Sequence, residues 1–482
     1  MDKLLGFTPD ADPTLSGVVT DCINFIPYEN GMEAAPTGAI PDGILPLVSE
    51  CKGAAVVAKL DGSRRIFAGI SGNIYELVAG SWTSVGSGYS TGTEDRWNFA
   101  QFGDSTLAAN RADTIQRSTG AGFSAIATAP KAKVIFSVGA FVMALNTSDG
   151  TYGDSPNRWW CSASYDDTSW TPSVSTLATT GLLVSAPGRI TAGGRLGDYA
   201  VAYKERALYI GQFVGAPVVW DWQQIPGTAG CVGLEAWADI GGAHFFVGPD
   251  NFWIFDGSRP VPVGQGQVRQ WFYDNSSPSL RFKTKVVFDR QQNRVFIFFP
   301  SNGSAVCDQA LVYHLLTKQW GRVAVTIEAP LSYVSQGLTI DTMTAVAATI
   351  DALTSYSFDS QYWLSGGSAL SYFNQSHQLL AFTGTAGASG FTTGDAGDDD
   401  IYTLLTKIRL RFAPSFKPTT ATVNTYTKTE VGGSLSVAST ASINDGKFDV
   451  LDSSRWHRAS FNFTGPCKVL GIDATLIPEG NT

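Results

Sequence analysis

Apolar and polar positions alternate along most of this chain in runs of about four to eight residues, each closed by Gly, Asp, Asn or Pro. Such runs predict antiparallel strands joined by tight turns. The clearest example lies between Lys283 and Val323, where Val286–Phe288, Val295–Phe299, Leu311–Leu315 and Trp320–Val323 read as four consecutive strands. Four strands in a meander make one blade of a β-propeller, and much of the chain reads as weaker copies of the same unit.

In chain order, a first copy covers Gly53 to Gly86, with strands at Ala54–Lys59, Arg65–Ala68 and Ile74–Val78 and turns at Asp61-Gly62 and Ser71-Gly72-Asn73. Trp82 opens its outer strand, as Trp320 does in the clearest unit. A second copy spans Trp97 to Phe123. A third starts at Lys133, with a long loop expected between FSVGAFVMALN and NRWWCSASYDDTSWTP. The fourth turns at Lys204-Glu205-Arg206, and the fifth turns at Pro249-Asp250-Asn251 between two aromatic strands. One helical turn is expected from Gln267 to Phe272. Residues Leu338 to Leu353 fit either a helix, with Met343, Val346, Ala347, Ile350 and Leu353 on one face, or an extended crossover, which their β-branched residues favour. A last strand pair turns at Gly366-Gly367.

Both ends differ from this pattern. Residues Phe7 to Pro36 are broken so often by Pro, Gly and Asp that they predict an extended strap, pinned by Ile23, Phe25, Ile26 and Tyr28. From Gly384 to Asp400 the chain is a Gly-, Thr- and Asp-rich link. Beyond it, Leu405 to Phe412 alternates strictly, with Lys407, Arg409 and Arg411 on one face and Ile408, Leu410 and Phe412 on the other. Strands at Ala421–Thr427, Ser434–Ser439, Ala459–Asn462 and Lys468–Ile477 complete a small antiparallel sandwich. The expected organisation is therefore all-β: a strap at 1–50, a β-propeller of roughly five to seven blades at 51–383, and a C-terminal antiparallel β-sandwich at 384–482. The strap is available to supply the last strand of the propeller.

Composition narrows the function. The chain has 482 residues, a net charge of -9 and 16% charged residues, which argues against a general basic grip on nucleic acid. Six widely spaced cysteines without a C-x-x-C pair read as small buried hydrophobes in a reducing compartment rather than as a zinc site. The N-terminus lacks the apolar run of a signal peptide and no segment approaches a membrane span, so the chain is expected to be made and kept soluble.

Catalytic chemistry finds little footing. His244, His314, His377 and His457 each fall in or beside a strand pattern, and no G-x-S-x-G elbow, P-loop or H-E-x-x-H occurs. The Asp166-Asp167 pair in SYDDTSW reads as a turn that caps local amides, with Trp170 packed in a blade groove. Asp395 and Asp398–Asp400 lack calcium-loop spacing and read as a solvated acidic loop. Trp159, Trp160, Trp220, Trp222 and Trp363 suit sugar stacking or blade packing, the latter accounting for most of them. The Lys407, Arg409 and Arg411 stripe reads as a solvated face, with phosphates or an acidic subunit as the other candidate partner. No catalytic, cofactor-binding or metal-binding residue is assigned.

The segments CINFIPYENGMEAAP, RWWCSASYDDTSWTP, VYHLLTKQWGRV and SSRWHRASFNFTGPCKVLGIDATLIPEGN together resemble the tail hub, or nozzle, proteins of short-tailed bacteriophages, the group that includes the packaged-DNA stabilisation proteins. The resemblance runs over most of the chain and is one of layout rather than of an invariant motif. It implies a homohexameric ring beneath the portal and its head-to-tail adaptor ring, in the virion tail, assembled from protein made in the host cytoplasm. Such a ring continues the DNA channel with sequence-independent passage of the genome, retains packaged DNA, and anchors a spike, fibre or needle. It brings no catalytic residues. A carbohydrate-binding or polysaccharide-degrading propeller acting at a bacterial surface is the competing expectation.

Overall fold

Local alternation and turn chemistry produce seven four-stranded antiparallel units in the computed structural model, which describes residues 3–334 and 368–480. Six of them occupy 54–87, 98–125, 131–182, 190–225, 237–263 and 285–327, each a simple four-stranded meander, and the seventh has three consecutive strands within 329–384, so the described chain is all-β with propeller-like blades. The first strand of each unit lies beside the first strand of the next, with Trp237 packed on Gly194 between the fourth and fifth, and the seventh lies beside the first. The units thus surround a common axis.

The seventh unit is completed from the other end of the chain. Four strap strands, β1 (Val19–Ile23), β2 (Phe25–Tyr28), β3 (Gly31–Ala34) and β4 (Thr37–Ala39), precede the first unit, and β4 pairs with Leu379–Gly384 as the outermost strand of the seventh. An early segment placed beside a late one closes the ring non-covalently and covers an edge that would otherwise be open. The predicted crossover at 338–353 and the turn at Gly366-Gly367 lie outside the described residues.

The sixth unit does not end at its fourth strand. Trp320–Ile327 pairs with β2, β2 with β3, β3 with Lys468–Gly480, and that strand with Tyr402–Phe412 and then Lys447–Ser454, giving one nine-stranded sheet. A second sheet runs β1, Ala388–Thr393, Trp456–Thr464, Thr420–Lys428, Ser436–Ser442. Its inward residues Phe391, Val423, Phe461 and Phe463 share one apolar cluster with Leu405, Ile408, Phe448 and Val469 of the first. The alternation at Leu405–Phe412 is realised: Ile408 and Leu410 are buried, Lys407 and Arg411 exposed.

Several expectations need correction. Residues 384–400 are not merely a link, since Ala388–Thr393 is a strand between β1 and Trp456–Thr464; Gly390 lets the neighbouring backbone approach where a Cβ would lie 2.4 Å from the Phe461 carbonyl oxygen. The long loop in the third unit is a tight turn: Phe141–Asp149 and Gly153–Cys161 form a hairpin, held by Asp149 Oδ1 accepting from the backbone N–H groups of Thr151 and Tyr152 at 2.8 Å each. The helical turn falls at Arg269–Asn275. In the strap, Phe25 and Ile26 are buried anchors but Ile23 faces solvent, because the alternation of β1 turns Cys22 inward instead. Phe25 stacks on Phe391 at 5.3 Å and Phe463 at 5.8 Å, a burial that stabilises the strap by roughly 2–3 kcal/mol.

Candidate functional site

The residues weighed for chemistry in the sequence are mostly structural. Trp159, Trp160 and Trp220 are buried and Trp222 half-buried, with Trp159 against Trp222 at 5.7 Å, so these rings pack the third and fourth units; Trp363 lies outside the described residues. Asp166 Oδ1 accepts from the Thr168 N–H and hydroxyl, Asp167 pairs with Arg117 at 2.7 Å, and Trp170 is fully buried. Asp395 is not solvated: its side chain is wholly buried between Lys428 and Arg458, each at 2.7 Å. Two cations explain why a carboxylate tolerates that site. Asp398–Asp400 are exposed as expected. His244, His314 and His457 are buried, and burial, the largest influence, pushes each imidazole below its usual pKa.

A concentration of charge lies elsewhere, around the axis. A cavity of about 490 Å³ opens where the chain enters the innermost strand of each unit, and every unit contributes to it: Glu50, Arg96, Lys133, Arg189, Glu235, Lys285 and Glu328, in order. Lys283 and Glu94 add one more of each sign. Each residue lies within or a few positions before the first strand of its unit, so the fold converts a sequence interval of tens of residues into a ring of side chains.

Most of these charges are paired. Glu235 accepts from Arg96 Nε at 3.1 Å and from Lys285 Nζ; burial alone would raise its carboxyl, yet Arg96 and Lys285 outweigh burial and hold it below the ordinary value. Arg96 also donates to the Glu328 carbonyl at 2.6 Å and lies 3.8 Å from Glu50. The Glu328 carboxylate takes the Cys51 N–H at 2.9 Å and His377 Nδ1 at 2.7 Å, while burial leaves its pKa raised. Lys283 meets Glu94 at 3.0 Å. The thiols of Cys51 and Cys307 are pushed up by burial to about 12 and about 11, so neither is a thiolate nucleophile at neutral pH. Among the described residues no group of His, Cys, Asp or Glu is arranged to hold a metal ion. The cavity therefore gathers charges of both signs, an arrangement suited to recognising a charged group.

From this cluster, sequence reading weighed His377 and counted Cys51 and Cys307 among the six buried cysteines, but singled out none of the ring of acidic and basic side chains. The usable signal was a charged residue recurring at the entry to each first strand, a period visible once the unit boundaries are known.

No family model matches the chain, and no curated protein matches it either. Among solved structures it is similar to YCF48 bound to D1 peptide, at 10% identity and a TM-score of 0.35 over 62% of this chain and 86% of that one. It is similar to the computationally designed Ika8 protein, at 10% identity and a TM-score of 0.34 over 70% and 97%. A third is PorZ, a bacterial surface component of the type-IX secretion system of Porphyromonas gingivalis, at 10% identity and a TM-score of 0.37 over 85% of this chain and 52% of PorZ. Likenesses this weak carry no functional argument. Among the described residues no helix is long and apolar enough to cross a membrane.

Proposed function

We propose that this chain is a structural, non-enzymatic tail hub of a short-tailed bacteriophage, a seven-bladed β-propeller with a C-terminal antiparallel β-sandwich that assembles as a homohexameric ring below the portal and adaptor. In that role it lengthens the DNA channel, helps retain the packaged genome and carries a spike, fibre or needle. The single observation that carries the reading is the nine-stranded sheet, in which the sixth unit, the strap and the C-terminal strands share one continuous hydrogen-bonded ladder. A part that transmits load between a capsid vertex and a fibre needs its domains to move as one body, and a shared ladder resists hinging better than a loop linker does. The acidic balance of the chain, -9, suits a surface over which DNA slides.

The test is electron microscopy of purified particles labelled with an antibody against the recombinant chain. The expected result is label around the short tail stem with six-fold density just below the portal. Label confined to fibre tips, or absent from particles, refutes the hub.

A further inference from the structure

The axial cavity holds one cation that its network of pairs leaves over, Lys133, and a second, Arg189, whose one ion pair among the described residues is an exposed contact. Lys133 sits on the innermost strand of the third unit, half-buried, and its ammonium makes no hydrogen bond or ion pair among the described residues. Beside it at the rim of the fourth unit is Arg189, exposed, whose guanidinium reaches Glu205 at 3.5 Å. Burial and the charge of Arg189 both work against the Lys133 cation, with Asp95 opposing them and Arg111 adding to them. The carboxylates of the cavity do not relieve it. Glu235 is held by Arg96 and Lys285, Glu328 by His377 and the Cys51 N–H, Glu94 by Lys283, and Glu50 lies against Arg96 at 3.8 Å. Folding gains nothing by recessing an unpaired lysine near an arginine, whereas an incoming anion would find the Lys133 ammonium unpaired and Arg189 held only by its exposed contact to Glu205.

The surroundings select the anion. Four carboxylates line the same cavity, so a polyanion such as a phosphate cluster meets repulsion that a single carboxylate largely avoids. Val232, Leu234, Phe282 and Val306 line it as well, offering apolar surface within the same cavity. We infer that Lys133 and Arg189 form a binding site for a carboxylate that carries an apolar neighbour, entering along the axis of the ring of units. That chemistry is shared by an acidic residue beside an aromatic one in a protein segment and by a small aryl-alkyl acid. The site stands independently of the tail-hub reading.

Calorimetric titration of the full-length protein tests it with hydrocinnamate, its neutral amide, and blocked tetrapeptides Ala-Asp-Phe-Ala and Ala-Asn-Phe-Ala. The carboxylate probes should bind about tenfold or more tightly than their amide counterparts, the loss expected for one charge-assisted contact. Lys133→Met should remove that preference while leaving thermal stability at or above wild type, since the ammonium has no partner to lose. Lys131→Met, exposed on the same strand, should change nothing. Arg189→Gln, at the exposed rim, should weaken the carboxylates and provides a second variant if Lys133→Met fails to fold. Tighter binding of the Asp tetrapeptide assigns the site to a protein segment, and tighter binding of hydrocinnamate to a small acid; either supports the carboxylate site. The inference is overturned if acid and amide bind alike, if no probe binds, if Lys133→Met leaves the preference intact, or if inorganic phosphate displaces the carboxylates at equal concentration.

Discussion

Replacing Glu33 by Gln should loosen the strap more than any other single polar change there. Glu33 lies on β3 with its side chain 13% exposed and accepts from Arg294 of the sixth unit and from Lys468 of the C-terminal sheet, the latter at 2.8 Å. The Arg294 side chain is only 5% exposed, and its Nε has no hydrogen-bond partner, so Glu33 is its counter-charge. Removing one member of a buried pair strands the other, at about 3–5 kcal/mol for full burial. Lys468 can turn to water and adds less than about 1 kcal/mol. The lower end, about 3 kcal/mol, is the expected cost, and it should fall on the local opening of the strap. Hydrogen exchange followed by mass spectrometry then shows the β2–β3 amides exchanging about a hundredfold faster. E33Q combined with Arg294→Met should recover much of this loss, because an apolar side chain needs no counter-charge in the same site. An increase in strap exchange of less than about fivefold in E33Q, or a double variant as loose as the sum of the singles, refutes the reasoning.

Gly321→Val places a side chain where an ideal Cβ already lies 2.5 Å from the Phe25 carbonyl oxygen and 2.7 Å from the Ile26 Cα; it should cost roughly 1–3 kcal/mol and speed exchange in β2 while leaving the second and third units unchanged. Acidification should destabilise the fold through His244, His314 and His457, whose folded pKa values burial depresses. Between the ordinary imidazole value near ~6.5 and the lower folded values, the unfolded chain binds more protons, so stability present at neutral pH is lost as pH falls, by up to ~1.4 kcal/mol per pH unit for each histidine. Guanidinium unfolding across that window should show the slope and His457→Gln should flatten it; a slope that His457→Gln leaves unaltered contradicts the assignment.

Much of the strand content was legible in the sequence. Val295–Phe299 and Leu405–Phe412 announce themselves because a period of two and the turn residues that end it are local properties, set by neighbours along the chain. The expected range of blades included seven for the same reason. What the chain pairs with at long range was not legible. The strap was expected to be available for the last strand of the propeller and does supply it, but nothing in Thr37–Ala39 marks that segment as the one that pairs with Leu379–Gly384, nor in Gly31–Ala34 that it sits between the sixth unit and Lys468–Gly480. A strand edge accepts any partner of suitable register, and only packing selects one. Burial of charge followed the same divide: Asp395 stands beside three exposed aspartates in a polar stretch, yet Lys428 and Arg458, distant in sequence, make it an interior residue. The axial cluster is the extreme case, since Arg96, Lys133, Glu235 and Glu328 become neighbours only when seven units close. The sequence by itself determined which segments are strands and which faces are apolar; the tertiary structure alone decided which edges meet and which charges share a cavity, because those outcomes depend on distances that no local pattern encodes.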